Sequence, residues 1–192
     1  MKCRHQTLLF ILLSAGISLA SPTPSLNPDH RQAARNLGGT FPPCEASRLQ
    51  EAVPFLRAFN GKTTDHFYTT DAKELATFIR RGYKSDGTSG LLYKSQQPGT
   101  VPLYREYDAR STDHIYTTDL GEITVVAKKG LKREGIAGYI YPRQYCGAVP
   151  LYRLFNAKAR DHLYTTSSEE VESALKDGWT SQGTAGYIFQ AK

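Results

Sequence analysis

Hydrophobic and polar positions follow the same order three times along this 192-residue chain. Each unit opens with Val-Pro and a short run of alternating apolar and aromatic residues, passes through a polar loop, and enters a second alternating run. Alternation with a period of two is typical of strands, and two such runs joined by about four residues predict a β-hairpin. The three predicted hairpins begin at Val53, Val101 and Val149.

The period then changes to that of a helix. A polar residue is followed three positions later by Glu, which is the pattern of a capping box at the start of a helix. The apolar residues after it recur three and four positions apart, as on one face of a helix. The capping-box pairs are Asp71 and Glu74, Asp119 and Glu122, and Ser167 and Glu170. A glycine after each apolar stretch predicts the end of a short helix, and a further strand closes each unit.

All landmarks recur with a step of 48 residues, as His66, His114 and His162 illustrate. A fixed period in this range indicates a repeat architecture. One unit cannot bury its own apolar face, whereas three units around a common axis can. The sequence predicts an α+β fold, mainly β, with three strand–strand–helix–strand repeats in one compact pseudo-threefold domain. The predicted repeats span residues 53–100, 101–148 and 149–192.

The first 52 residues lack this pattern. Lys2 and Arg4 precede an apolar run that ends in Ser-Leu-Ala, so residues 1–20 are predicted to be a secretory signal, too short to span a bilayer. Residues 21–52 are rich in Pro, Ser, Asn, Ala and Gly and predict a flexible leader. We therefore expect a secreted, extracellular protein with no membrane span in its mature form.

Export changes how the cysteines are interpreted. Cys3 would leave with the signal, which leaves Cys44 and Cys146 as a pair in an oxidising compartment and predicts a disulfide. The 24 basic and 18 acidic residues give a net charge of +6, which falls to +4 without Lys2 and Arg4. Because the basic residues are scattered rather than clustered, we expect no nucleic-acid partner.

Each hairpin presents a cation, an acid, a histidine and aromatic rings. If the first hairpin is symmetric about Lys62 and Thr63, Arg57 lies opposite Tyr68 and Phe59 opposite His66, all on one face. Aromatic rings suit sugar rings, and the polar groups suit sugar hydroxyls, so a ligand-binding site is predicted here. Its candidate residues are Arg57, Asp65, His66, Tyr68, Arg105, Asp113, His114, Tyr116, Arg153, Asp161, His162 and Tyr164.

Three other interpretations of this set remain open. One is a scaffold, with Asp capping turns and Arg pairing across the hairpin. Another is a metal site formed by the three histidines on the axis; it would need a tight central channel, the spacing does not reveal whether the histidines point inward, and no metal or cofactor is predicted. Catalysis is not expected, because it needs groups in different roles and three equivalent sets supply identical ones.

The ordered string of Tyr-Arg, Asp-His-x-Tyr-Thr and Gly-x-x-Gly-Tyr, clearest at Tyr152-Arg153, residues 161–165 and residues 183–187, resembles a known repeat family. The family is catalogued as domain of unknown function 5648 and is found in secreted fungal proteins and Gram-positive bacterial surface proteins. Similar bacterial repeats accompany cell-wall hydrolase domains, so the resemblance implies an accessory role in binding walls or glycans. Repeat one departs from the pattern, with Leu56 and Leu91 where the other repeats have tyrosine.

Together these observations predict a secreted, non-catalytic module that binds extracellular polysaccharide or cell-wall glycan. The alternative is a secreted protein-binding effector or defence factor whose ligand is not a sugar.

Overall fold

The computed structural model describes residues 43–44 and 49–191. The predicted signal and most of the predicted leader lie outside this described part. Nine strands and three helices occupy the described residues. They are β1 (Val53–Asn60), β2 (Asp65–Thr69), α1 (Ala72–Arg80), β3 (Lys84–Leu92), β4 (Val101–Asp108), β5 (Asp113–Thr117), α2 (Leu120–Lys128), β6 (Lys132–Ile140), β7 (Val149–Asn156), β8 (Asp161–Thr165), α3 (Ser168–Lys176) and β9 (Thr180–Ile188).

Each repeat forms its own three-stranded antiparallel sheet. The orders are β2-β1-β3, β5-β4-β6 and β8-β7-β9, so the first strand of every repeat lies in the middle. In the first hairpin Arg57 pairs with Tyr68 and Phe59 with His66, and the equivalent pairs recur in the other two. The predicted register is therefore confirmed, and so is the fold of three equivalent strand–strand–helix–strand units.

The helices begin at the predicted N-caps, but the glutamates of the capping boxes have another role. The Asp71 side chain accepts a hydrogen bond from the N–H of Lys73, as a cap should. The N–H of Asp71 is bound by Thr69 Oγ1 at 3.0 Å, where the sequence had predicted Glu74. Equivalent threonine hydroxyls bind the N-cap N–H groups of α2 and α3, so all three glutamates are free to bind elsewhere.

The core lies on the pseudo-threefold axis and is built from the same positions of each repeat. Its fully buried members include Phe55, Leu103 and Leu151 from the central strands and Leu92, Ile140 and Ile188 from the closing strands. The closing strands approach one another so closely that a Cβ at Gly138 would lie 2.4 Å from a methyl carbon of Leu92. Each repeat thus contributes equivalent side chains to a single shared core.

The predicted disulfide is present. Cys44 and Cys146 are joined, which ties the segment before repeat one to the joint between repeats two and three. Cys146 packs against a second apolar cluster formed by Tyr93, Tyr141, Ala148 and Phe189. None of the helices in the described residues is long and apolar enough to cross a membrane.

Candidate functional site

The three predicted aspartates meet on the pseudo-threefold axis. Asp65, Asp113 and Asp161 begin β2, β5 and β8, are buried, and place one carboxylate oxygen each within 4.8 Å of the others. Each carboxylate accepts hydrogen bonds from the backbone N–H and the Nδ1 of a histidine in another repeat. For Asp65 and His114 these distances are 2.9 and 2.7 Å.

The same contact closes a ring. His162 binds Asp113, and His66 of repeat one binds Asp161 of repeat three, again with Nδ1 at 2.7 Å from the carboxylate. Each of the three repeat histidines therefore directs Nδ1 toward an aspartate. The histidines orient the aspartates at the axis, and the three-histidine metal site that the sequence left open does not match this arrangement.

One of these histidines has a cation beside its second ring nitrogen. The Nη2 of Arg153 lies 3.2 Å from His162 Nε2. A guanidinium has donors only, so the tautomer of His162 that satisfies both contacts accepts at Nε2 and donates from Nδ1 to Asp113. The Nε2 of His114 lies instead 3.6 Å from Glu134, so the equivalent histidines have different surroundings.

The predicted tyrosines form a second ring below the aspartates. Tyr68, Tyr116 and Tyr164 are fully buried, and their rings pack edge to face with centroids 5.3–5.6 Å apart. Each hydroxyl accepts a hydrogen bond of 2.8 Å from the backbone N–H of a tyrosine in another repeat. Burial raises the pKa of all three hydroxyls, so they remain protonated. Those of Tyr116 and Tyr164 donate to the backbone carbonyls of Tyr68 and Tyr116.

The predicted arginines bind the capping-box glutamates of the neighbouring repeat. Arg105 donates to both carboxylate oxygens of Glu74, at 2.6 and 3.1 Å, and Arg153 holds Glu122 in the same bidentate way. Arg57 of repeat one binds Glu170 of repeat three at 2.9 Å.

Burial and hydrogen bonding shift the pKa values of these glutamates in opposite directions. Burial raises the pKa of Glu74, but the hydrogen bonds from Arg105 and Thr69 outweigh burial and hold that pKa below its usual value. The pKa values of Glu122 and Glu170 are lowered through the same balance. All three glutamates are therefore ionised at neutral pH and pair with their arginines as charges.

All twelve predicted residues thus lie at the joints between repeats. The hairpin register brings the arginines, histidines and tyrosines onto the predicted face, but their partners belong to another repeat rather than to the same hairpin. The sequence pattern predicts only helix capping for Glu74, Glu122 and Glu170. Their step of 48 residues, shared with the arginines, was the available signal of a second role.

A polar groove opens at the joint of repeats one and two. It has a volume of about 320 Å³ and lies between the start of α1 and the strand β6. Its lining includes Thr70, Asp71, Glu74, Arg105, Glu134 and Ile136. The same joint is built three times, since Thr70, Thr118 and Thr166 each donate to a backbone carbonyl of the opposing closing strand.

A second pocket lies at the joint of repeats two and three. It has a volume of about 180 Å³, apolar walls that include Ile115, Val126 and Leu131, and an inner end at Asp113 and His162. It therefore reaches two of the predicted site residues.

The fold and these joints define a closed three-repeat module in which polar side chains hold each repeat to the next. A family model described as domain of unknown function (DUF5648) matches residues 54–189, so the chain belongs to that family. No curated protein and no solved structure gave a match.

Proposed function

We propose that this protein is a secreted, non-catalytic module that binds an extracellular polysaccharide or cell-wall glycan. The observation that carries the proposal is the polar groove between Thr70 and Ile136, which offers hydroxyls, carboxylates, a guanidinium and an exposed apolar side chain in one cleft. Such a mixture suits a sugar ring, which has hydroxyls at its edge and C–H groups on its faces.

The groove lies at the joint between two repeats, whereas the sequence predicted a binding site on the face of each hairpin. The tyrosine rings of the hairpins are buried, so in this proposal they hold the repeats together while the arginines reach the ligand. Arg105 lines the groove directly, and Arg57 and Arg153 occupy the equivalent joints. Three equivalent weak sites on one rigid body would gain avidity on a repeating polymer.

The proposed lack of catalysis rests on the roles of the acidic and basic groups. A general acid and a general base need different surroundings that separate their pKa values. Glu74, Glu122 and Glu170 each pair with the equivalent arginine of a neighbouring repeat, and their pKa values are shifted in the same direction. Their arrangement favours binding over turnover.

Secretion is part of the proposal. The Cys44–Cys146 disulfide is compatible with an oxidising compartment. Edman sequencing of the protein recovered from the medium of an expressing cell tests this part, and an N-terminus at Ser21 is expected.

The polymer is tested by pull-down of the secreted protein on insoluble chitin, β-glucan and peptidoglycan. A groove variant carries arginine at the three equivalent positions Thr88, Ile136 and Thr184. A control variant with the same added charge carries arginine on the helices at Thr77, Val125 and Ser173. We expect one polymer to retain the wild type and the control but not the groove variant, with all three proteins melting cooperatively.

Two outcomes of these experiments would overturn the proposal or a part of it. Failure of all three polymers to retain the wild type would overturn the glycan proposal, and release of soluble reducing sugar would overturn its non-catalytic part.

A protein partner is the second candidate, and repeat two supplies the observation that favours it. Leu120, Val125 and Ile136 are exposed by 61%, 52% and 48%, whereas the equivalent positions of repeats one and three are Ala, Ser or Thr. Repeat two alone has large apolar side chains at these three positions, and exposed apolar side chains grouped on a surface are typical of a protein contact. Replacing Leu120 and Val125, which lie outside the groove, with the residues of repeat three (Ser168 and Ser173) should abolish such a contact and spare glycan binding.

A further inference from the structure

The space beside each axial aspartate is filled differently in the three repeats. In repeat one it is occupied by aromatic rings. Phe67 and Phe78 stack with their centroids 3.5 Å apart, and Tyr83 packs at their edge. The hydroxyl of Tyr83 donates to Asp65 at 2.5 Å, so a phenol of the chain itself occupies this position.

Repeat two has smaller residues at the same three positions. A step of 48 residues places Ile115, Val126 and Leu131 where Phe67, Phe78 and Tyr83 stand. The pocket of about 180 Å³ lies at these three residues. It is the space that the aromatic rings fill in repeat one.

The inner end of this pocket matches the place of the Tyr83 hydroxyl. Asp65 accepts hydrogen bonds from His114 and from Tyr83. Asp113 accepts the equivalent two bonds from His162, but Leu131 has no hydroxyl to supply the third. A carboxylate has lone pairs for a further donor, so Asp113 can accept one from a ligand.

Repeat three differs from both. Trp179 stands at the position of Tyr83 and Leu131, and its ring lies 6.0 Å from that of His66. It packs in the apolar cluster of Leu154, Leu163 and Ala174. A large ring of the chain again takes the position that Leu131 leaves open.

The mouth of the repeat-two pocket is basic. Arg110, Lys129 and Arg160 line it and are exposed to solvent, while Asp108 is the acidic group there and pairs with Arg110 at 3.0 Å. A ligand with its hydroxyl at Asp113 would direct its opposite end toward these cations. That end is therefore favoured to be anionic.

We propose that the pocket between repeats two and three binds a small phenolic acid, with the ring between Leu131, Val126 and Phe155 and the phenolic O–H donated to Asp113. The size agrees, because an apolar cavity of about 150 Å³ holds one benzene ring. The proposal does not depend on the glycan groove, because no residue lines both the pocket and the groove.

Isothermal titration of the full secreted protein tests this with 4-hydroxybenzoate, benzoate and 4-hydroxybenzyl alcohol. We expect one site for 4-hydroxybenzoate. Benzoate should bind roughly 10-fold or more weakly because it lacks the donor for a charged acceptor. The neutral alcohol should bind more weakly than 4-hydroxybenzoate and lose less affinity in high salt.

Two variants place a ring of the chain in the pocket, as repeat one does. Leu131→Tyr and Val126→Phe should both abolish binding while the protein still melts cooperatively, and Lys132→Tyr, at an exposed neighbouring position, should retain it. Equal affinity for benzoate and 4-hydroxybenzoate, absence of binding by the wild type, or full binding by a folded Leu131→Tyr protein would each overturn the proposal.

Discussion

Arg105 of repeat two holds Glu74 of repeat one through two hydrogen bonds, of 2.6 and 3.1 Å. Glu74 also accepts a hydrogen bond from Thr69, whose hydroxyl binds the N–H of the helix N-cap Asp71. One carboxylate therefore connects the hairpin of one repeat to the helix start of another. The packing of the repeats and the local structure of the helix depend on each other at this point.

Glu74→Gln should lower the free energy of unfolding by about 2 kcal/mol, because a charged hydrogen-bond acceptor is lost from a partly buried pair. Glu172→Gln, on the exposed surface of α3, is the matched control and should change stability little. Urea denaturation followed by circular dichroism measures both. Equal stabilities of the two variants would contradict the structural role of the pair.

Acid should weaken the same contacts. The pKa values of Glu74, Glu122 and Glu170 lie below the usual value of 4.5 in the folded protein. A lowered folded pKa contributes stability above the unfolded pKa, and this contribution is lost as the pH falls through the folded pKa. The stability difference between the wild type and a Glu74→Gln variant should be constant above about pH 5 and should shrink below about pH 4.

Glu106→Leu should raise the melting temperature. Glu106 is fully buried, neither carboxylate oxygen has a hydrogen-bond partner among the described residues, and Arg133 Nε is 3.9 Å away. Burial raises its pKa, against a smaller opposing effect of Arg133. The equivalent residue of repeat three is the buried Leu154.

The gain should be about 1–3 kcal/mol at pH 7, since replacing a poorly paired buried charge by a well-packed apolar group is often stabilising. It should shrink in acid, because a raised folded pKa costs stability as the pH rises through the range above the unfolded pKa. Thermal melts at pH 4 and pH 7 measure both effects. A destabilised variant at pH 7 would show that Glu106 has a partner in solution.

Tyr116→Phe should cost about 3 kcal/mol, although it removes one oxygen atom only. The hydroxyl accepts from the N–H of Tyr68 and donates to the carbonyl of Tyr68, so both buried backbone groups would lose their partner. Tyr152→Phe, at a half-buried position, serves as the control. Denaturant unfolding measures the free energy of unfolding of both variants. A decrease for Tyr116→Phe no larger than that for the control would show that the buried tyrosine hydroxyls do not stabilise the fold.

Reduction of Cys44–Cys146 should lower stability by at most about 4–5 kcal/mol, the chain-entropy value for a loop of about 100 residues. The three sheets and their joints do not include Cys44, so the reduced protein should keep its strand and helix content at 25 °C. Circular dichroism with and without reductant, followed by thermal melts, tests both parts. Loss of all structure on reduction would show that the repeats do not close without the disulfide.

The repeat fold and the hairpin register were predictable because they depend on contacts within one unit. Arg57 opposite Tyr68 follows from the loop length and the alternation of the strands, and both are visible in the sequence. The joints were not predictable in this way. Asp65 binding His114 depends on the direction in which the units follow one another around the axis, and no local pattern fixes that direction.

Differences between the repeats carried information that the shared motifs concealed. Leu131 at the position of Tyr83 accompanies the phenol-sized pocket, and Glu106 at the position of Leu154 leaves a charge in an apolar layer. Both differences are visible when the three units are aligned with one another. The pocket at Leu131 and the burial of Glu106 became visible only in the structure, because the sequence does not show which side chains point inward.

The histidine and arginine contacts between the repeats run in one sense, from each unit to the aspartate and glutamate of the unit before it, and the first unit completes the ring with the third. This ring of contacts does not depend on which of the three repeats comes first in the chain. A circular permutant that starts at Val101, with the old ends linked, keeps every one of these contacts. A single excised unit carries both a donor edge and an acceptor edge, so three separate copies have the complementary surfaces needed to assemble as a homotrimer.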